Sequence, residues 1–136
     1  RARFAVIVLD ASAAIELLLN APLAPRISGL VFRAGESLHA PHLIDIEVAQ
    51  VLRRFARLGE IGSQRAEQAL DDLADLPLTR YPHSMLLPAV WALRENATAY
   101  DAAYLVLAEA LGATLLTCDT ALGSIPGHRA RVEVIR

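Results

Sequence analysis

Apolar and polar positions along this chain fall into blocks that predict strands separated by helices. A continuous apolar run rich in β-branched residues covers residues 4–9, which is typical of a strand buried on both faces of a sheet. Shorter apolar segments predict four further strands, at residues 38–40, 78–81, 113–117 and 132–135.

Helical periodicity is clearest over residues 42–58, where apolar residues recur every three or four positions up to Gly59. Similar but weaker patterns predict helices at residues 12–19, 26–33, 63–74 (with Ser63 as N-cap), 85–95 and 100–111 (ending at Gly112), and a single turn at 120–122. Strands that alternate with helices indicate an α/β fold with a mainly parallel central sheet flanked by helices.

Length and composition limit the class of protein. The 136 residues suit one domain spanning residues 1–136. Hydrophobic residues make up 54% of the chain and charged residues 21%, which excludes intrinsic disorder. No stretch approaches the roughly 18 consecutive apolar residues of a transmembrane helix, so we expect no membrane partner.

The first residues have an alternative interpretation as a secretory signal, because arginines precede the apolar run and small residues follow it. The run of residues 4–9 is shorter than the usual 7–15 residues, and Asp10 interrupts it, so we interpret it as a strand. The single cysteine, Cys118, excludes an intrachain disulfide framework and points to a reducing compartment. We therefore expect a cytoplasmic protein.

All 13 basic residues are arginine, which removes chemistries that need a lysine, such as the P-loop and Schiff-base catalysis. The formal net charge is −2, so a nucleic-acid partner would have to be held by a local arginine patch or by a bound metal. Arg53, Arg54 and Arg57 form such a patch on the helix over residues 42–58, with Arg54 best placed. A solvated helix face or a protein-binding surface is the alternative for these arginines.

Four carboxylates mark the candidate chemistry. Asp10 and Asp119 follow predicted strands directly, and the carboxyl ends of parallel strands meet at one sheet edge. Asp101 lies in the first turn of a helix, and Glu47 shares a side of its helix with apolar residues. Taken singly, the three aspartates could be helix caps, with Thr98 and Asp101 forming a capping box, and Glu47 could point to water.

If these four side chains converge, they cannot all remain ionised without proton uptake or a bound cation. Two unit charges about 4 Å apart repel by roughly 4 kcal/mol at an effective dielectric constant of 20. An all-oxygen cluster suits Mg²⁺ or Mn²⁺ better than zinc. Metal-assisted hydrolysis of a phosphodiester is the reaction that follows from such a cluster.

At these residues the sequence resembles the PIN-domain nucleases, and within them the VapC-like toxins of bacterial toxin–antitoxin pairs. The matching segments are VLDASA at 8–13, EVAQVLRR at 47–54, TAYDAAYL at 98–105 and LTCDTAL at 116–122. The resemblance implies a three-layer α/β/α fold and a Mg²⁺ or Mn²⁺ site that cleaves RNA. It also implies a cognate antitoxin and a homodimer.

The resemblance assigns roles to individual residues. It implies that Asp10 and Asp101 are the most direct metal ligands and that Glu47 and Asp119 complete the site. Ser12 and Thr117 match small hydroxyl positions that support the acids.

Two other functions stay open from the sequence alone. One is a catalytically silent PIN-like scaffold that binds a protein or RNA, and the other is a phosphatase or similar small-molecule hydrolase. Cys118 shows no partner pattern, so we interpret it as a small buried thiol rather than a nucleophile. The scattered aromatic residues, Tyr81, Trp91, Tyr100 and Tyr104, are interpreted as core or interface residues.

Overall fold

Strands and helices alternate along residues 5–136, the part of the chain that the computed structural model describes. In chain order the elements are β1 (Ala5–Leu9), α1 (Ala11–Leu18), α2 (Ala24–Val31), β2 (Glu36–Pro41), α3 (Leu43–Arg57), α4 (Ser63–Asp75), β3 (Leu78–Tyr81), α5 (Leu87–Ala92), α6 (Ala99–Leu111), β4 (Thr114–Thr117), a 3₁₀ turn (Leu122–Ser124) and β5 (Arg131–Val134). The order of strands and helices predicted from the sequence is confirmed.

The five strands form one sheet in the order β3-β2-β1-β4-β5, and every neighbouring pair is parallel. The central strand β1 aligns Val8 with His39 of β2 and Leu9 with Leu116 of β4. Helix α6 packs against β1, β2 and β4, while α1 packs against β4 and the helices α2, α3 and α4. The sheet is thus flanked by helices, which confirms the predicted three-layer α/β/α fold.

Apolar patterning accounts for how the helices are buried. Helix α6 is apolar nearly all round and buries every residue from Ala102 to Ala108, as expected of a helix packed directly on a sheet. Helix α3 is amphipathic: Ile44, Val48 and Leu52 are buried at spacings of four residues. The arginine-bearing side of α3 is exposed.

Several predicted boundaries need correction. Strand β2 is longer than residues 38–40, and α5 is shorter than residues 85–95, with Pro88 in its first turn. Ser63 is not an N-cap: it is the first helical residue of α4, and Gly62 takes the extended cap conformation. The turn predicted at residues 120–122 is a 3₁₀ turn two residues later.

The remaining elements lie within one or two residues of the predicted bounds, and the end of α6 is as predicted. Gly112 ends α6 in the left-handed conformation, with φ of 62°. Phe4, the predicted first strand residue, lies outside the described residues. Within residues 5–136, no helix is both long enough and apolar enough to cross a membrane.

The topology places a crevice at the carboxyl end of the central strand. From β1 the chain goes to β2 and β3 on one side, whereas β4 and β5 lie on the other side. Ligands of open parallel sheets bind beside such a change of direction, outside the carboxyl ends of the strands. This is the edge that Asp10 and Asp119 follow.

Candidate active site

Asp10 is the most buried acid of the candidate site, with 5% of its surface exposed. It caps α1: its Oδ1 accepts hydrogen bonds from the amide of Ala13 at 3.0 Å and from Ser12 Oγ at 2.8 Å. Its Oδ2 accepts a hydrogen bond from Thr117 Oγ1 at 2.6 Å. Burial nevertheless raises the pKa of Asp10 to about 6, and the charge of Asp119 adds to the increase. The capping interpretation is therefore correct for Asp10 but incomplete.

Two hydroxyl groups join the carboxyl ends of β1 and β4. Thr117 Oγ1 donates to Asp10 and accepts from the amide of Asp119 at 2.9 Å. Ser12 Oγ accepts from the amide of Cys118 at 2.9 Å and lies 3.2 Å from Thr117 Oγ1. The hydroxyls that the sequence singled out thus fix the Asp10 carboxylate and the backbone leading to Asp119.

Asp119 is exposed, and its Oδ1 accepts a hydrogen bond from the amide of Ala121 at 2.9 Å. This bond stabilises the turn after β4 rather than a helix N-terminus, since the 3₁₀ turn begins later. The charge of Asp119 raises the pKa of both Asp10 and Asp101. Asp119 is therefore electrostatically coupled to both of these acids.

Glu47 projects from α3 and is half-buried. Its Oε1 accepts a hydrogen bond from the hydroxyl of Tyr104 at 2.7 Å, so the interpretation that Glu47 points to water is wrong. Burial raises the pKa of Glu47, and the charge of Asp101 raises it further, whereas the hydrogen bond from Tyr104 lowers it. Glu47 thus belongs to the same group of interacting acids.

Asp101 lies in the first turn of α6, whose N-cap is Thr98. Thr98 Oγ1 accepts a hydrogen bond from the amide of Asp101 at 3.1 Å, which is the first half of the predicted capping box. Burial raises the pKa of Asp101, and the charge of Asp119 contributes. The cap and the electrostatic coupling therefore coexist at this residue.

Tyr104 is a member of the site that the sequence analysis did not single out. It is almost fully buried, and burial is the main reason that its pKa is raised above its usual value. The carboxylates of Glu47, Asp10 and Asp101 all raise this pKa further, which places the Tyr104 hydroxyl among them. Its position three residues after Asp101, on the same helix side, was the signal available in the sequence.

In the part of the chain that the structure describes, no ion pair compensates this group of acids. The ion pairs within residues 5–136 join Arg33 to Glu36, Arg80 to Asp45 and Arg94 to Glu95, and none involves the four acids. In the same part of the chain, no three or more His, Cys, Asp or Glu side chains are spaced closely enough to hold one ion. The four acids are coupled through space and do not form a closed coordination shell.

The two predicted substrate-binding arginines occupy different positions. Both Arg53 and Arg54 are exposed. Arg54 lines a cavity that also reaches Ser12, and its guanidinium carbon lies 5.9 Å from the ring centroid of Phe55. Arg53 is not among the residues that line this cavity, so of the two arginines only Arg54 shares a cavity with Ser12.

Comparison with known proteins identifies the family. The model of the PIN domain matches residues 7–127, which include all four acids. The chain belongs to the PIN domain family. It is 40% identical over 130 residues to VapC ribonuclease Mb0985 of Mycobacterium bovis, covering 96% of this chain and 98% of the relative. It is 41% identical over 133 residues to ribonuclease VapC1 of Mycobacterium tuberculosis, covering 95% and 97%.

Solved structures share the PIN fold. The chain matches PAE2754 from Pyrobaculum aerophilum with a TM-score of 0.69 and 24% identity, covering 96% of this chain and 84% of that one. It matches VapBC2 from Rickettsia felis, bound to a promoter DNA fragment, with a TM-score of 0.70 and 13% identity, covering 96% and 99%. The resemblance to VapC-like PIN proteins proposed from the sequence is confirmed.

Proposed function

We propose that this PIN domain is a metal-dependent endoribonuclease that acts as the toxin of a toxin–antitoxin pair in the cytoplasm. The observation that carries the proposal is Asp10: a buried carboxylate at the topological switch point, coupled to Asp119 and without a cationic partner among the described residues. Relatives named VapC ribonucleases, at about 40% identity over nearly the whole chain, support ribonuclease chemistry.

The donor chemistry of the acids fits Mg²⁺ or Mn²⁺. Asp10, Asp101, Asp119 and Glu47 offer only oxygen atoms, which hard cations prefer. The raised pKa values of three of them show that their negative charge is poorly compensated, so a bound cation would stabilise the ionised forms. When bound, such an ion supplies the positive charge that polarises a phosphodiester for hydrolysis.

The remaining side chains would orient these acids. Ser12 and Thr117 hold the two oxygens of Asp10 from either side, so the carboxylate keeps one orientation. Tyr104 does the same for Glu47 through one hydrogen bond. Arg54, at the edge of the site, and Arg53 beside it are the proposed phosphate-binding residues.

An exposed apolar surface supports the proposed homodimer. Met85, Leu87 and Trp91, in and before α5, and Tyr100 at the start of α6 are each more than half exposed. Leu87 and Tyr100 line the same cavity, which shows that the two helices present them together. Contiguous exposed apolar residues of this size mark protein interfaces, and we assign this surface to a second copy of the chain.

A cognate antitoxin is the other proposed protein partner. Its support comes from the solved structures with the same fold, which include VapBC-1 from nontypeable Haemophilus influenzae, matched with a TM-score of 0.60 and 18% identity over 95% of this chain and 97% of that one.

An RNA digest with and without EDTA tests the function. We expect cleavage of single-stranded RNA in Mg²⁺ or Mn²⁺, none in EDTA, and none with a folded Asp101→Asn variant. Cleavage that continues in EDTA would contradict the metal dependence, and cleavage by Asp101→Asn would contradict the assigned site.

The spacing of the acids favours a second candidate function, that of a non-catalytic scaffold. No three acidic side chains of residues 5–136 are close enough to hold one ion. The second candidate is therefore a PIN-like scaffold that only binds RNA or protein. That function predicts RNA binding without cleavage in any divalent cation. Calorimetric titration with Mn²⁺ distinguishes the two, since a scaffold without a site releases no binding heat.

A further inference from the structure

A cavity of about 450 Å³ opens beside Asp10 and is not used by the proposed chemistry. Ser12 and Cys118 line its inner end, and Ser12 is the residue that donates to Asp10. Its apolar walls come from α1 and α3 and include Ile15, Leu19 and Phe55. The cavity therefore adjoins the candidate site through Ser12, which lines the cavity and contacts Asp10.

Glu16 gives this cavity an unusual polar group. It lines the cavity, and its Oε2 is buried without a hydrogen-bond partner among the described residues. A buried carboxylate oxygen without a donor is costly, and most such atoms in proteins are satisfied. Burial raises the pKa of the Cys118 thiol to about 11, and the negative charges of Asp10 and Glu16 contribute to the increase.

A second buried carboxylate oxygen without a partner, on Glu36, lies in different surroundings from that of Glu16. Glu36 Oε1 also lacks a partner among the described residues, but Glu36 begins β2 at the opposite end of the sheet and its other oxygen pairs with Arg33 at 3.8 Å. Glu16 has no ion pair within residues 5–136 and lines the same cavity as Ser12, the neighbour of Asp10. Only Glu16 is placed to receive hydrogen bonds from a bound substrate.

We propose that this cavity binds one base of the RNA substrate, next to the cleaved bond, and that Glu16 selects guanine. The inference rests on the proposed ribonuclease function. An ionised carboxylate only accepts hydrogen bonds, and guanine presents two adjacent donors, N1–H and N2–H, on its Watson–Crick edge. Adenine and cytosine place a ring acceptor beside their amino group, and uracil offers a single N–H between two carbonyls.

The neighbouring side chains suit a flipped-out base. Single-stranded RNA is read by bases that stack on aromatic rings or guanidinium planes and hydrogen-bond through their edges. Phe55 and Arg54 lie together in this cavity, 5.9 Å between ring centroid and guanidinium carbon. Arg54 also offsets the repulsion between Glu16 and RNA phosphates.

The test uses short single-stranded RNAs that share one cleavage junction, mapped first in a randomised RNA pool, and differ only in the flanking base. We expect wild type to prefer guanine over adenine by roughly tenfold or more in kcat/KM, as for a bidentate base contact. Hypoxanthine, which lacks the 2-amino group, should be intermediate. Glu16→Gln should reverse the order, since an amide pairs with adenine through one donor and one acceptor.

The control is Glu60→Gln, the same change at an exposed residue outside the cavity, which should keep the preference of wild type. The comparison of guanine with hypoxanthine in wild type tests the same contact if Glu16→Gln does not fold. An unchanged base preference in Glu16→Gln, or an equal loss on every RNA, would overturn the inference. The inference would also be overturned if RNA affinity did not depend on the base and Glu16→Gln weakened binding of a protein partner. The cavity would then be a protein-docking site.

Fluorescence anisotropy in EDTA separates this inference from the proposed function. Guanine-dependent binding that Glu16→Gln abolishes supports the inference even if no RNA is cleaved, in which case the ribonuclease proposal alone fails. Cleavage without base preference, together with base-independent binding, overturns the inference and leaves the ribonuclease proposal standing.

Discussion

Two carboxylates on α3 lie two residues apart in the sequence and have different partners. Asp45 receives bonds from Arg80 of β3 through Nε at 2.8 Å and Nη2 at 2.9 Å, which is a bidentate ion pair. Glu47 receives one bond from the neutral hydroxyl of Tyr104. Among residues 5–136, an ion pair therefore forms at the carboxyl ends of β2 and β3, and none forms with the acids at the ends of β1 and β4.

This difference separates structural from functional acids. A half-exposed ion pair such as Asp45–Arg80 contributes only about 0–1 kcal/mol, and its charges are balanced within the protein. Asp10 has hydroxyl and amide donors but no ion pair with any described residue, and burial raises its pKa to about 6. An unbalanced buried charge persists when something outside the chain compensates it, and here we propose a divalent cation.

The largest expected effect is on activity. Asp10→Asn should lower RNA cleavage by roughly 10²–10⁴-fold, because it removes one negative charge from the site. Initial cleavage rates in Mn²⁺, with circular dichroism to confirm folding, measure the effect. The matched control is Asp45→Asn, which breaks the ion pair with Arg80 and should leave the rate within a few-fold. Equal losses of cleavage rate in Asp10→Asn and Asp45→Asn would show that the two acids do not differ in function.

The same Asp10→Asn change should stabilise the folded protein in EDTA. The folded-state pKa of about 6 lies above the ordinary 3.8, so ionised Asp10 destabilises the fold above pH 6. That cost disappears as the pH falls from about 6 to 4. At roughly 1.4 kcal/mol per pH unit, we expect a gain of about 3 kcal/mol for Asp10→Asn at pH 7.5 and almost none at pH 4.

Urea unfolding at the two pH values measures this gain. Asp45→Asn again serves as control, because the loss of its ion pair should lower the free energy of unfolding slightly at pH 7.5. A loss of stability in Asp10→Asn at pH 7.5 would show that the hydrogen bonds of the carboxylate outweigh the cost of its burial.

Cation binding should stabilise wild type by a smaller amount. At a Mg²⁺ or Mn²⁺ concentration about ten times the Kd, the expected gain is about 1.4 kcal/mol. Thermal unfolding should therefore shift to higher temperature in wild type and in Asp45→Asn but not in Asp101→Asn. A shift of equal size in all three proteins would indicate non-specific screening of surface charge.

The smallest effect is expected for Tyr104→Phe, which removes only the hydroxyl bonded to Glu47. That bond lowers the pKa of Glu47, so its loss should move the acid limb of the pH–rate profile to higher pH. We expect a three- to tenfold lower kcat at neutral pH, roughly the net contribution of one ordinary hydrogen bond. A uniform loss without a shift of the profile would make Tyr104 a packing residue only.

Local sequence patterns predicted most of the fold, and errors fell at element ends. Helix α4 begins one residue earlier than an N-cap at Ser63 implies, because Gly62 takes the cap conformation without a side-chain hydrogen bond. Strand β2 extends to Glu36 and Pro41 because pairing with β1 and β3 on both sides recruits residues of weak strand propensity. Such tertiary pairing is invisible to local periodicity.

The candidate site was predictable in part. Asp10 and Asp119 were found because each follows a strand, and the order of strands in a parallel sheet brings these ends together. Tyr104 and Glu16 were missed because a tyrosine and a glutamate on helices rich in apolar residues have no distinguishing local pattern. Their significance depends on which side chains from other segments lie beside them.

The sequence by itself determined the alternation of strands and helices, the apolar faces that bury them, and the position of acids at strand ends, since these depend on neighbours along the chain. Tertiary structure alone decided which acids receive a counter-ion. Asp45 meets Arg80, 35 residues away, whereas Asp10 meets Thr117, 107 residues away. The electrostatic environment of a carboxylate depends on distances in space, and only the folded chain fixes those distances.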